Sequence, residues 1–357
     1  MHLLLPTKVK SLRRRMHNFL ERSIFMTKIV NEDNLSGAAK CLKDGGLVVI
    51  PTETVYGLGA DISNDNAIDS IYKAKGRPSD NPLIVHIADF DDLKNIAREI
   101  PENASKLIEK YWPGPLTVIL KKQPHISNKV TAGLDTVAIR MPSHPVANKL
   151  IKMSGVYVAA PSANLSGSPS PTTLKHVTDD MMGRVDYIVD GSNSEIGLES
   201  TIIDLSGDVA TILRPGAITL EMVKTVIPDA VNGQAHTDDT KAPKCPGMKY
   251  THYSPKADVI VVEGKKEAVT DYINKKLIEN PNAGVLTYKG GEYKASKAVI
   301  DAGDNMTEYA KNLFGALRKF DEFGVTTVYA EFECEAGIGE AVKNRIYKSA
   351  GFNVIKL

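Results

Sequence analysis

From residue 47 onward, short apolar runs alternate with segments whose apolar positions recur at helical spacing. Runs at 47–50, 83–87, 116–120, 137–139 and 156–160 are bounded by Gly, Pro, Asn or Ser and predict strands. Residues 67–75 carry apolar Ala67, Ile68, Ile71, Tyr72 and Ala74, opened by the capping-type Asn64 and Asp65, and predict a helix. Residues 104–111 predict another, stopped by Pro113-Gly114-Pro115. Residues 201–205 and 209–213 predict a hairpin joined through Ser206-Gly207-Asp208.

The pattern fades after Pro228, where Asp, Thr, Gln, Lys, Gly and Pro predict a linker. It resumes near Ala257 with a strand at 259–262 and a helix at 266–279, whose Val269, Ile273, Leu277 and Ile278 form one face. Strands at 284–288 and 298–300, a helix at 306–320, a strand at 326–330 and a helix at 339–349 follow. That order predicts a small α/β layer domain, for which a parallel sheet is one option. The chain divides into a leader (1–25), a first domain (26–228), a linker (229–256) and a second domain (257–357).

Charge narrows the function little: 44 Lys plus Arg stand against 43 Asp plus Glu, so net charge gives no reason to expect a nucleic-acid or membrane surface. No apolar run approaches the roughly 20 residues of a membrane helix. Cys41, Cys245 and Cys334 are odd in number and far apart, without zinc-ligand spacing, which fits a reducing compartment such as the cytoplasm. The first 25 residues place Lys8, Lys10, Arg13, Arg14, Arg15 and Arg22 against a single acid, Glu21. Such a leader reads as a transit peptide or as a start placed upstream of Met26. The second reading is favoured, because strand-like pattern begins only after Met26.

Four segments hold more glycine, proline and polar residues than their strands require. Residues 51–59, PTETVYGLG, follow a predicted buried strand and read as a ligand loop or a polar turn. Lys75-Gly76-Arg77 leaves a helix, and its two cations suit phosphate oxygens or a helix C-terminus, the second being favoured when the segment is taken alone. Residues 161–171 follow a strand with hydroxyls and amides, as a ligand loop or a flexible linker would. Arg140, Ser200 and Arg214 stand at three further strand ends, the places that line the crevice in α/β folds. His86 lies inside an apolar strand and by itself reads as a core histidine. Walker A, GxGxxG, HExxH and Ser-His-Asp patterns are all missing, so any ATP site would have to be built in another way.

These segments, in this order, resemble the two-domain threonylcarbamoyl-AMP synthases. The resemblance rests on PTETVYGLG at 51–59, KGRPSDNPL at 75–83, WPGPLT at 112–117, AIRMPSHP at 138–145, APSANLSGSPSPT at 160–172, LESTIID at 198–204, LRPGAIT at 213–219 and PGMKYTHYSP at 246–255. It implies a YrdC-like twisted mixed α/β sheet with a deep basic cavity, a linker that can lie over it, and a small Rossmann-like domain. It implies that ATP, L-threonine and bicarbonate or CO2 give threonylcarbamoyl-AMP and pyrophosphate, with Mg²⁺ accompanying the triphosphate and no metal-ligating side chains identified. A downstream transferase would move the threonylcarbamoyl group onto tRNA, and weak RNA binding by the cavity is compatible with this. Lys75, Arg77, Ser162 and Asn164 match positions that face the phosphates and the reacting carbamate. Thr54, His86, Arg140, Ala160 and Ser200 match positions around threonine, Arg140 for its carboxylate. Asn81, Thr136, Ser170, Arg214 and Tyr253 match positions around the nucleotide, as do Arg77 and Ser162. Three other readings compete: an RNA-binding module, a carbamate-adenylylating carbamoyl-transfer enzyme, and a sensor that binds threonine and nucleotide without turnover.

Overall fold

The apolar runs pair into two separate sheets. A computed structural model of the chain describes residues 26–79, 81–233, 245, 252–333 and 335–357. The leader at 1–25, most of the linker and Cys334 lie outside these described residues. The first sheet contains β1 (Lys28–Val30), β2 (Val48–Ile50), β3 (Gly57–Asp61), β4 (Ile84–His86), β5 (Leu116–Lys121), β6 (Thr136–Arg140), β7 (Val158–Ala159), β8 (Tyr187–Val189), β9 (Thr201–Asp204), β10 (Thr211–Arg214) and β11 (Val231–Asn232). Their order is β1-β8-β2-β3-β7-β4-β6-β5-β9-β10-β11, with parallel pairs such as β4/β6 and antiparallel ones such as β5/β6. The sheet is therefore mixed, as expected. The expected hairpin is β9/β10, paired antiparallel.

Helices cover this sheet because their apolar stripes leave them no other place to bury. These are α1 (Ser36–Lys43), α2 (Asp65–Lys75), α3 (Glu102–Tyr111), α4 (Pro145–Ser154) and α5 (Leu174–Met181). Asn64 caps α2 by accepting from the Asn66 and Ala67 amides. Ile68 and Ile71 of α2 and Leu107 of α3 pack with Leu58, Val85, Val118 and Ile139. Each such buried side chain contributes about 1.5–3 kcal/mol. Leu42 of α1 and Leu150 of α4 join Val48, Val158 and Val189 in a second cluster. In a third cluster the linker residue Cys245 packs with Ile84, Ile119, Ala138 and Ile202, so the linker itself closes part of the sheet.

The second sheet holds β12 (Asp258–Glu263), β13 (Ala283–Thr287), β14 (Ala298–Asp301), β15 (Thr327–Phe332) and β16 (Val354–Lys356). All its pairs are parallel, in the order β14-β13-β15-β12-β16. Helix α6 (Lys266–Glu279) packs in one cluster, and α7 (Met306–Phe323) and α8 (Ile338–Ser349) pack in another, giving an α/β/α arrangement. Strand β16 was not expected. Ile278 is 78% exposed and does not join the α6 stripe. Val269, Ile273 and Leu277 repeat every fourth residue, and the next position along is rotated about 100° off that line.

The two domains share apolar packing. Val55 and Leu198 of the first belong to the cluster built on α7 and α8, together with Tyr253 of the linker. Tyr253 stacks on Phe314 with ring centroids 5.0 Å apart.

Candidate active site

Strand ends and loops converge on one edge of the large sheet. β4 and β6 end together, His86 being the register partner of Arg140. β5 pairs Thr117 with Arg140 and Leu116 with Thr201, which brings Ser200 to the same edge. Arg214 at the end of β10 faces Ile202. The turn after Arg214 passes so close to β9 that a Cβ on Gly216 would lie 2.5 Å from the Thr201 amide nitrogen, so this position requires glycine. Helix α2 ends at Gly76 in the left-handed conformation, φ 63°. That cap turns the chain sharply, and Lys75 and Arg77 on either side both reach the cleft.

The cleft has a cavity volume of about 70 Å³. Of the residues the sequence singled out, Thr54, Lys75, Arg77, His86, Arg140, Ala160, Ser162, Asn164, Ser200, Arg214 and Tyr253 line it. Asn81, Thr136 and Ser170 stand outside that lining. Asn81 and Ser170 are fully buried; the Asn81 carbonyl accepts from the Tyr72 hydroxyl at 2.8 Å. Thr136 begins β6, at the end opposite Arg140. The 51–59 segment is less loop than its composition indicates, because β3 starts at Gly57 with every residue buried.

Each cation has a defined setting. Lys75 Nζ donates to the Ser162 carbonyl and, at 2.8 Å, to that of Asn164. Burial, and then the Arg77 charge, bring its pKa down to about 7. The Ser162 hydroxyl donates to Asn164 Oδ1 at 2.5 Å, and Asn164 Nδ2 donates to the Leu165 and Ser168 carbonyls, so this loop is pinned from within. Arg140 is 4% exposed and directs Nε to the Gly114 carbonyl (3.2 Å) and Nη1 to Thr54 Oγ1 (2.7 Å). Its Nη2 lies 2.7 Å from Glu53 Oε1. Burial alone would raise the Glu53 carboxyl, but Arg140 together with the Ser143 amide outweighs it and holds the group below its ordinary range. His86 is neutral, since burial and then Arg140 push its pKa down to about 3; its Nδ1 faces the Ile84 carbonyl at 3.1 Å.

Such a site suits a polyanion and a small zwitterion. Lys75, Arg77, Arg140 and Arg214 bring four positive side chains to one cleft, whose lining carboxylate, Glu199, is engaged elsewhere. Among the described residues no cysteine lines it, and no group of three or more His, Cys, Asp or Glu could hold a metal ion. No described helix is long and apolar enough to cross a membrane.

Two family models match the chain. The one described as "Telomere recombination" matches residues 40–216, and "Threonylcarbamoyl-AMP synthase, C-terminal domain" matches 218–351. A threonylcarbamoyl-AMP synthase from Pyrococcus abyssi is 45% identical over 343 residues, covering 93% of this chain and 100% of the relative. The chain belongs to the threonylcarbamoyl-AMP synthase family. A Bacillus subtilis member is 46% identical over 331 residues, covering 91% of this chain and 95% of its own. The crystal structure of Pyrococcus abyssi Sua5 complexed with L-threonine matches with a TM-score of 0.88 at 44% identity, covering 93% of this chain and 100% of that one.

Within this member of the synthase family, sequence reasoning placed Glu53 in a candidate ligand loop without its pairing to Arg140, and missed Glu199. Glu53 is 4% exposed and holds Arg140, while Glu199 is 6% exposed and holds Ser170 and Arg345. The available signal was a lone carboxylate set among apolar and hydroxyl residues at a strand end. Such a group is buried only when it has a cationic partner.

Proposed function

We infer that the chain is a threonylcarbamoyl-AMP synthase, which joins ATP, L-threonine and bicarbonate or CO2 into threonylcarbamoyl-AMP and pyrophosphate for tRNA modification. The observation that carries this reading is the convergence of four cations with Thr54, His86, Ser162, Asn164 and Ser200 in one cleft. The threonine nitrogen takes up CO2 as a carbamate. A carbamate oxygen then attacks the α-phosphorus, the bond to the β-phosphate oxygen breaks, and pyrophosphate leaves. No covalent intermediate with the protein is needed, so positioning and charge neutralisation supply the rate.

We assign Lys75, Arg77, Ser162 and Asn164 to the phosphates and carbamate, and Thr54, His86, Ala160 and Ser200 to threonine. Arg140 faces the threonine carboxylate. Two of its N–H groups, on Nε and Nη1, already have hydrogen-bond partners and Nη2 pairs by charge with Glu53, so of its five N–H donors three remain for the ligand. Neutral His86 adds no charge near the amino group that must lose its proton. Arg214 and Tyr253 belong to the nucleotide side of the cleft, Ser170 and Asn81 to the layer behind it, and Thr136 to an outer nucleotide contact. Mg²⁺ enters with the triphosphate as part of the substrate.

Tyr253, 6% exposed against the cleft and stacked on Phe314, supports a linker that serves as a lid over a water-sensitive acyl adenylate. That product is a mixed anhydride, so a transferase must consume it. We place both in the cytoplasm, where the free Cys41 and Cys245 fit.

The test is pyrophosphate release from ATP with threonine and bicarbonate each present or omitted. Release that needs both and falls sharply with serine is the expected result. No release under any combination would sink this reading, and salt-dependent RNA binding would then be measured.

A further inference from the structure

The second domain places a charged side chain directly behind the wall of the cleft. Arg345 on α8 is 0% exposed, yet its main partners lie in the other domain. Nε donates to Glu199 Oε2 at 3.0 Å, Nη2 to the Glu199 carbonyl at 3.4 Å, and Nη1 to the Pro215 carbonyl at 2.7 Å; a fourth contact joins Nη1 to Asn344 Oδ1 at 3.3 Å. The other Glu199 oxygen accepts from the buried Ser170 hydroxyl at 2.6 Å. Next along the chain, Ser200 accepts from Arg214 through its carbonyl (3.0 Å) and its hydroxyl (3.1 Å).

We propose that Arg345 is a positioning residue of the nucleotide half of the site, acting through Glu199 and Pro215 on Ser170 and Arg214. This rests on the functional reading above, in which those two residues serve the nucleotide. Glu199 lines the cleft, and a carboxylate free to turn there would repel a triphosphate. Held on both oxygens, with its charge matched by Arg345, it is fixed as part of the wall. The planar fork of a guanidinium spreads its donors over three nitrogens and spans Glu199 and Pro215 together, whereas a lysine carries its donors on a single nitrogen. Arg318 on α7 makes a parallel contact one residue earlier. It grips the Pro169 carbonyl through two nitrogens, at 3.1 and 2.5 Å, and Asp180 at 2.6 Å. Residues 169 and 170 are thus held from the second domain at adjacent positions. A domain that only supported the fold would not need buried cations reaching into the wall of its neighbour's ligand cleft.

The experiment uses the full chain and two affinities measured by calorimetry, one for a non-hydrolysable ATP analogue and one for L-threonine. Neither needs turnover, so a failure of the synthase reading, seen as wild type that releases no pyrophosphate, stays separate from a failure of this one. R345M is expected to weaken the ATP analogue by about ten- to a hundredfold, the scale on which small displacements of a positioned group act, with threonine affinity held within about twofold. R345K should recover part of the loss. If R345M does not fold, R345M/E199Q removes the unpaired buried carboxylate and carries the same measurement. Unchanged analogue affinity in a folded variant, or equal loss for both ligands, overturns the proposal.

Discussion

Removing Arg140 separates its two jobs, because its acid partner is as buried as it is. Arg140 and Glu53 have side chains 5% exposed each and lie 2.7 Å apart. Arg140→Met leaves the Glu53 carboxylate without its cation in a site it cannot leave, which costs about 3–5 kcal/mol. At roughly 2–4 °C per kcal/mol for a chain of this size, the melting temperature falls by about 6–20 °C. R140M/E53Q removes the stranded charge and should recover most of that fall. It should not recover threonine binding, because the lost charged hydrogen bond is worth about 1.5–3 kcal/mol, or roughly ten- to a hundredfold in affinity. The pH dependence gives a second check. In the wild type, Glu53 sits below its ordinary range, so its contribution is present above the unfolded pKa and is lost as pH falls through the folded value. In R140M the cation is gone and burial is opposed only by backbone amides such as that of Ser143, so acid relieves the penalty and the gap from wild type narrows as pH falls. Calorimetric scans of the three proteins measure the first effect, and threonine titrations the second. A melting temperature of R140M within about 2 °C of wild type, or no recovery on adding E53Q, would refute the burial-and-pairing account.

Arg77→Ala should lower pyrophosphate release by about 10²–10³-fold, the scale of one transition-state donor, while circular dichroism shows the fold intact; unchanged turnover removes its role. Lys75, poised near pKa 7, is mostly neutral at pH 8 in the free protein and should be held charged by a bound triphosphate. Binding of Mg-saturated ATP analogue at pH 8 should therefore be accompanied by net proton uptake, read from calorimetry in buffers of different ionisation enthalpy; no buffer dependence counts against it. Truncation after Thr225 should leave a folded first domain with impaired synthesis, since it removes Tyr253 and bares Val55 and Leu198; full activity in the truncated chain dismisses the lid.

The apolar runs made most strands legible because each lies in a sheet covered on its faces, and residues 266–279 form a helix with the expected bounds. Strand β3 escaped because Gly57, Gly59 and Ala60 carry little of the bulk that marks a strand. The lining was readable where it comes from local segments such as Lys75-Gly76-Arg77, whose glycine cap dictates the turn. What holds the lining was not readable. Glu199 and Arg345 are 146 residues apart, and neither carries a mark that names the other. Thr136 shows the converse, a strand residue matched by motif position that the sheet carries to the far end from Arg140.

Cys245 gives the linker a chemical clock. It is 0% exposed against Ile84, Ile119, Ala138 and Ile202, and burial pushes its thiol up to about 11. A seated linker therefore presents neither an accessible sulfur nor a thiolate, and alkylation waits for the segment to lift. With Cys41 and Cys334 replaced by serine, the rate of modification becomes the intrinsic thiol rate multiplied by the fraction of time the linker is raised. Comparing that rate with and without ligands would turn a packing contact into a measure of how far ligand binding shifts the seated population.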